Sequence, residues 1–79
     1  MNIENTVKQV LQEVLAVEAN EIKPDAKLED AFGVDSTEMV EINVAIKKKL
    51  GIDIKNNDLK KSQSFNEIVS FLSQKMALK

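Results

Sequence analysis

The chain contains no cysteine, histidine, tryptophan, tyrosine or arginine, and only two glycines and one proline in 79 residues. Each absence removes a class of chemistry. Without cysteine there is no disulfide, no thiolate metal site and no thiol reactivity from the chain itself. Without histidine the commonest general base and the commonest metal ligand are both missing, which takes away Ser/His and Cys/His catalysis and most zinc or copper sites. The chain therefore reads as something other than an enzyme, with no metal. Lysines unaccompanied by arginine or by stacking aromatic residues make a poor nucleic-acid surface, so no nucleic-acid partner is expected. Nowhere do about eighteen apolar residues run together, which excludes membrane insertion by a spanning helix. The first residues, MNIENTVKQVLQEVL, carry polar side chains through the apolar positions and match neither a signal peptide nor a transit sequence. The expected setting is the cytoplasm, and the expected state a monomer. With so few turn formers, an all-α fold suits the composition better than a sheet.

What is present is charge and helical periodicity. The formal net charge is only −2, yet residues 1 to 46 hold ten acids against three lysines while residues 47 to 79 hold eight lysines against three acids. Ile3, Val7, Val10, Leu11 and Val14 share one face of a helix spanning about residues 3 to 16. Met39, Ile42, Ile46 and Leu50 form the inward stripe of a second long helix that follows Asp35 and stops at Gly51, with Lys47, Lys48 and Lys49 in its last turns. Asp35 and Glu38 have capping-box spacing, which puts Ser36 in the first turn. A third long helix begins at Ser64, again with an acid three residues on at Glu67, and carries Phe65, Ile68, Val69, Leu72 and Met76 inward. Residues 57 to 61 fit one short helical turn anchored by Leu59. The stretch from Val17 to Val34, with Pro24, Ile22, Leu28 and Phe32, reads as a long loop pinned to the core. The expected architecture is a small irregular four-helix bundle, three longer helices and one short, in one domain spanning residues 1 to 79 with a long loop between the first and second helices.

Ser36 has no catalytic neighbour, and a serine in a first helical turn is ordinary on position alone. Its context is not ordinary. Gly33-Val34-Asp35-Ser36, followed by an acidic helix with the Val40-Glu41 pair, a Gly51-Ile52-Asp53-Ile54 stretch and a closing amphipathic helix, resembles the acyl carrier protein family across essentially the whole chain. In that family the serine of a Gly-x-Asp-Ser motif receives phosphopantetheine from coenzyme A. The resemblance implies Asp35-Ser36 as the attachment pair, with Ser36 as the anchor. It implies a phosphopantetheinyl transferase as the modifying partner and acyl-loading and acyl-using enzymes as later ones. The outward face of the second helix, with Thr37, Glu38, Val40, Glu41, Val44, Lys47 and Lys48, becomes the expected docking surface. The physics agrees with such a site, because a helix N-terminus favours an attached phosphate. A chain without cysteine would also receive its only thiol from the added group.

Two departures from the family pattern follow. The residue after the serine is usually leucine or another apolar residue in the family, and here it is Thr37. Carriers of primary fatty acid synthesis usually have acids where this chain has Lys47-Lys48-Lys49, which points to a specialised member serving a dedicated pathway. Related carriers can shelter an acyl chain between the second and closing helices, and Ile46, Ile54, Leu59 and Ile68 are bulky candidates for lining that space. Two further readings stay open: an aminoacyl or peptidyl carrier of nonribosomal or cell-wall synthesis, and an unmodified helical interaction module.

Overall fold

The computed structural model describes residues 2–55 and 58–77. Helix α1 spans Ile3–Leu15, α2 Leu28–Phe32, α3 Ser36–Leu50 and α4 Phe65–Ala77, with one 3-10 turn at Ala19–Glu21. Among the described residues there is no strand, and the extended backbone makes a single isolated antiparallel bridge between Lys27 and Ser64. None of the described helices is long and apolar enough to cross a membrane.

The helices form where their periodicity and their caps agree. Asn2 caps α1, its side chain accepting the Asn5 amide at 3.1 Å, and Val7, Val10 and Leu11 are fully buried on the expected face. Ile3 and Val14 pack partly exposed at the margin of the same core. The helix ends at Ala16 in the left-handed region, φ 56°, a conformation that costs a non-glycine residue about 1–2 kcal/mol. Glycine makes the corresponding stop without that cost at Gly33, φ 64°, after α2 and at Gly51, φ 65°, after α3. Helix α1 packs against both α3 and α4. Ile42 and Ile46 of α3 and Ile68 and Leu72 of α4 close the core with it, each fully buried. Sequestering each such side chain contributes about 1.5–3 kcal/mol.

The four-helix class holds, but the short helix lies elsewhere than the sequence suggests. Leu28–Phe32, expected as loop, is helical. Five residues are too few to show a 3.6 period, and the segment is held by partners distant in sequence. The amides of Leu28 and Glu29, two of the orphan donors of a helix start, donate to the carbonyls of Gln63 and Lys61, each at 3.0 Å. The expected turn over residues 57 to 61 falls partly outside the described residues. Asp58 and Leu59 lie in a non-helical turn, closed by the Asp58 amide on the Lys55 carbonyl and the Lys55 amide on the Asp58 carboxylate. A second tie joins the loops: the Asn66 amide donates to the Pro24 carbonyl at 3.0 Å, and the Asn66 side chain to the Asp25 carboxylate at 2.8 Å. The loop from residue 58 to 64 and the start of α4 are thereby fastened to residues 24 to 29, in the middle of the α1–α3 connection.

Candidate functional site

Ser36 is the first residue of α3, and the local sequence fixes its placement from both sides. Gly33 turns the chain after α2, its amide returning to the Glu29 carbonyl at 3.1 Å. Val34 then inserts into the core, and Asp35 takes the extended conformation of an N-cap, φ −100° and ψ 179°. The capping box is complete. The Asp35 carboxylate accepts the Glu38 amide at 2.8 Å, and the Glu38 carboxylate accepts the Asp35 amide at 3.1 Å. Met39, one turn on, is buried and ties the first turn to the interior. Ser36 sits on this pedestal with its side chain exposed.

Beside it lies an open groove of about 390 Å³ lined by Ser36, Met39 and Val40 of α3, Glu29 of α2, and Leu59, Lys60, Lys61 and Ser62 of the following loop. That volume falls in the usual range of small-molecule sites, about 300–1,000 Å³. Its wall is apolar at Met39, Val40 and Leu59, and two lysines against one glutamate give its rim a net positive formal charge. Sequence reasoning singled out Ser36 and Val40 and missed Glu29, Lys60, Lys61 and Ser62 as neighbours of the serine. No local signal could have found them, since the Glu29–Lys61 and Leu28–Gln63 backbone bonds bring them there across more than thirty residues of chain.

The expected docking face divides. Thr37, Val40, Glu41, Val44 and Lys48 are exposed, and among the described residues Val40 at 46% and Val44 at 42% are the large apolar side chains most open to solvent. Glu38 and Lys47 are half-buried, and Glu38 is already engaged in the capping box. The three lysines at the helix end are not equivalent either. Lys49 reaches Glu13 of α1 at 3.6 Å, so it bridges helices while Lys48 faces solvent. Ile46, Ile54, Leu59 and Ile68 are packed at 2% exposure or less, and of these only Leu59 reaches the groove.

With this geometry in place, comparison with known proteins decides the family. The family model described as the phosphopantetheine attachment site matches residues 5–72. The chain is 32% identical over 75 residues to the acyl carrier protein of Solidesulfovibrio magneticus, covering 95% of this chain and 96% of that one. The chain belongs to the acyl carrier protein family. Other acyl carrier proteins align over similar spans: that of Nitratidesulfovibrio vulgaris at 29% identity, covering 95% of this chain and 99% of its own, and that of Helicobacter hepaticus at 31%, covering 91% and 95%. The family's cofactor is phosphopantetheine. The residues around Ser36 fit this group, with an exposed hydroxyl at a helix N-terminus, which favours an anion, and an adjoining groove that has an apolar wall and two lysines among its lining residues. When bound, phosphopantetheine supplies a thiol for acyl thioesters, which a carrier without cysteine cannot supply itself.

Proposed function

We propose that this chain is an acyl carrier whose phosphopantetheine arm is attached to Ser36. One observation carries the reading: Ser36 is an exposed hydroxyl at the first residue of a fifteen-residue helix, held rigidly by a complete capping box and opening onto a groove. The chain needs no base of its own. A phosphopantetheinyl transferase brings coenzyme A and the catalytic groups. Ser36 Oγ forms the new bond to phosphorus, the pyrophosphate P–O bond breaks, the adenosine bisphosphate half of coenzyme A leaves, and the transferase accepts the hydroxyl proton. Asp35 fixes the angle at which the hydroxyl is presented, through its bond to the Glu38 amide. The carrier unit is the single domain of residues 1 to 79, acting as a monomer in the cytoplasm, and catalysis belongs to its partners.

Those partners read the outward face of α3. Val40 and Val44 offer an apolar strip, Glu41 and Thr37 flank it near the attachment end, and Lys48 with the half-buried Lys47 marks the far end. The surface runs from negative to positive along the helix, so a cognate acyl-loading or acyl-using enzyme presents a basic group near Glu41 and acids or an apolar patch near Lys48. Like-charge contact suppresses wrong partners, and this excludes enzymes whose docking patch is basic throughout. Intact mass after incubation with coenzyme A and a broad-specificity transferase tests the modification, with one phosphopantetheinyl group expected on the native chain and none on Ser36→Ala. A ketosynthase or acyltransferase of general fatty acid synthesis, given both holo-proteins, tests the surface. Lys47→Glu combined with Lys48→Glu raises turnover at low salt. The gap narrows at high salt, because exposed charges are screened beyond about 8 Å at physiological ionic strength.

A further inference from the structure

The loop that carries Lys60 and Lys61 is ordered from two directions. Within it, the Lys60 amide donates to the Gln63 side chain at 2.9 Å, and the Gln63 amide returns to the Lys60 carbonyl at 3.0 Å. Across it, the amides of Glu29 and Leu28 donate to the carbonyls of Lys61 and Gln63. Both lysine side chains are nevertheless exposed, and neither is ion-paired among the described residues. The three lysines at the end of α3 have a local reason to be there, because cations suit a helix C-terminus. Lys60 and Lys61 have no such reason: they lie outside the described helices, and the one acid that lines the groove with them is Glu29. Their groove is also continuous with the outward face of α3, since Val40 lines the groove and stands 46% exposed on the helix.

We propose that Lys60 and Lys61 form a second docking point, one that meets acidic side chains at the active-site mouth of the enzymes that load or use the carrier. The inference rests on Ser36 being the attachment site and on α3 presenting the docking face. An enzyme that receives an arm fixed at Ser36 brings the mouth of its active site over that serine, so residues lining the groove beside it face the rim of the mouth. Charge then states what the rim carries. The α3 side of Ser36 is acidic, with Asp35 and Glu41 exposed, whereas the loop side holds two lysines against one glutamate. The complementary rim is basic towards α3 and acidic towards the loop. The sign change along α3, from Glu41 to Lys48, fixes one direction of approach, and the sign change across the groove fixes rotation about Ser36. An enzyme turned the wrong way, or one basic all round its mouth, meets like charge. The ordered backbone assists, because lysines on a fixed loop lose less freedom on binding than lysines on a mobile one. An anionic lipid surface is the poorer occupant: recognition there takes clusters of about four to eight cations, and these two stand beside Glu29 and the acidic start of α3.

The test gives holo-proteins, verified by intact mass, to two enzymes. One is a ketosynthase of general fatty acid synthesis with a basic mouth; the other is the same ketosynthase with its mouth lysines and arginines changed to glutamate, still active on a free acyl-pantetheine thioester. With the basic enzyme at low salt, Lys60→Glu combined with Lys61→Glu lowers KM about threefold or more and leaves kcat within about twofold, because the change acts on docking and not on chemistry. With the acidic enzyme the order reverses, and the native protein has the lower KM. Lys60→Arg with Lys61→Arg behaves as the native protein towards both. So does Lys23→Glu with Lys75→Glu, an equal charge change placed in the α1–α3 connection and the last turn of α4. About 1 M salt, with a Debye length near 3 Å, removes the differences. Thermal melts establish that each variant is folded. A KM unchanged in the Lys60→Glu, Lys61→Glu variant, or no reversal with the acidic enzyme, overturns the second docking point; a response to Lys47→Glu with Lys48→Glu in the same assays then leaves the α3 face standing. Binding of the native protein to phosphatidylglycerol vesicles, lost in the Lys60→Glu, Lys61→Glu variant while both enzymes ignore the change, assigns the lysines to a lipid surface and overturns the proposal as well. Absence of phosphopantetheine on Ser36 of the native chain overturns the attachment site and the docking point together.

Discussion

Helices α3 and α4 begin with the same device and put it to opposite uses. Each starts with a reciprocal capping box, Asp35 with Glu38 and Ser64 with Glu67, the second pair bonded at 3.2 and 3.0 Å. In α3 the cap and the residue after it, Ser36, are exposed; in α4 the cap Ser64 is buried and the residue after it, Phe65, is 1% exposed. The difference arises outside the caps. Ser64 bridges to Lys27 and the next amide but one is taken by the Pro24 carbonyl, so the start of α4 is walled in by the long connection. The start of α3 follows directly from the Gly33 turn, with Val34 anchoring the chain and the serine left exposed among the described residues. A capping box sets where a helix begins. What the first residue then does depends on whether another segment covers it.

The largest contrast between the two starts is chemical. Ser36→Ala is expected to abolish phosphopantetheinylation completely while changing unfolding free energy by less than about 0.5 kcal/mol, because Asp35 is the cap and the serine packs against no core. Mass spectrometry and urea denaturation check the two halves, and modification of the alanine variant would break the comparison. The equivalent change in α4 reverses the pattern. Phe65→Ala removes a fully packed ring under Lys8 of α1 and is expected to cost about 3–5 kcal/mol, a large share of the stability of so small a domain. Denaturant midpoints measure it; a loss no larger than that of Ser36→Ala would mean the two starts are energetically alike.

The caps sharpen the contrast on a smaller scale. Asp35→Ala and Ser64→Ala are each expected to cost about 0.5–2 kcal/mol, with Ser64→Ala nearer the upper end because Ser64 is buried and its capping bond is part-buried. Of the two, only Asp35→Ala should also slow the transferase, measured as initial rates on folded protein. Smallest is the effect at the far end of α3. Lys49→Ala breaks the Glu13 contact between two partly exposed side chains and is expected to cost at most about 1 kcal/mol, falling further in salt. Double-mutant cycles with Glu13→Ala isolate that contact from helix-end effects.

Much of this was legible in the residues alone. The three long helices stand where the apolar stripes placed them, because a buried face repeated every 3.6 residues over thirteen or more residues leaves few alternatives. Both capping boxes and the Gly51 stop were readable too, since they are contacts among residues three or four apart. The Ala16 stop was not, for nothing in an alanine announces a left-handed backbone. Helix α2 was likewise hidden. Its start is secured by carbonyls more than thirty residues away, a stabilisation that no local pattern carries. The place of Ser36 in the first turn of α3 was legible, and half the lining of the groove beside it was missed for the same reason.

The sequence by itself determined the helix periods, the presented serine motif and the absence of any thiol or imidazole of the chain's own, because these depend on residue identity and short spacings. Only the tertiary structure decided which lysines stand beside Ser36. Lys47, Lys48 and Lys49 share its helix but lie three turns away along α3, one of them committed to Glu13. Lys60 and Lys61 are remote in sequence and line its groove, because hydrogen bonds from the first amides of α2 to the carbonyls of Lys61 and Gln63 hold their loop there. Charge acts through space, over roughly 8–10 Å in salt. Proximity across such a distance is set by the packing of the whole chain, and composition gives no measure of it.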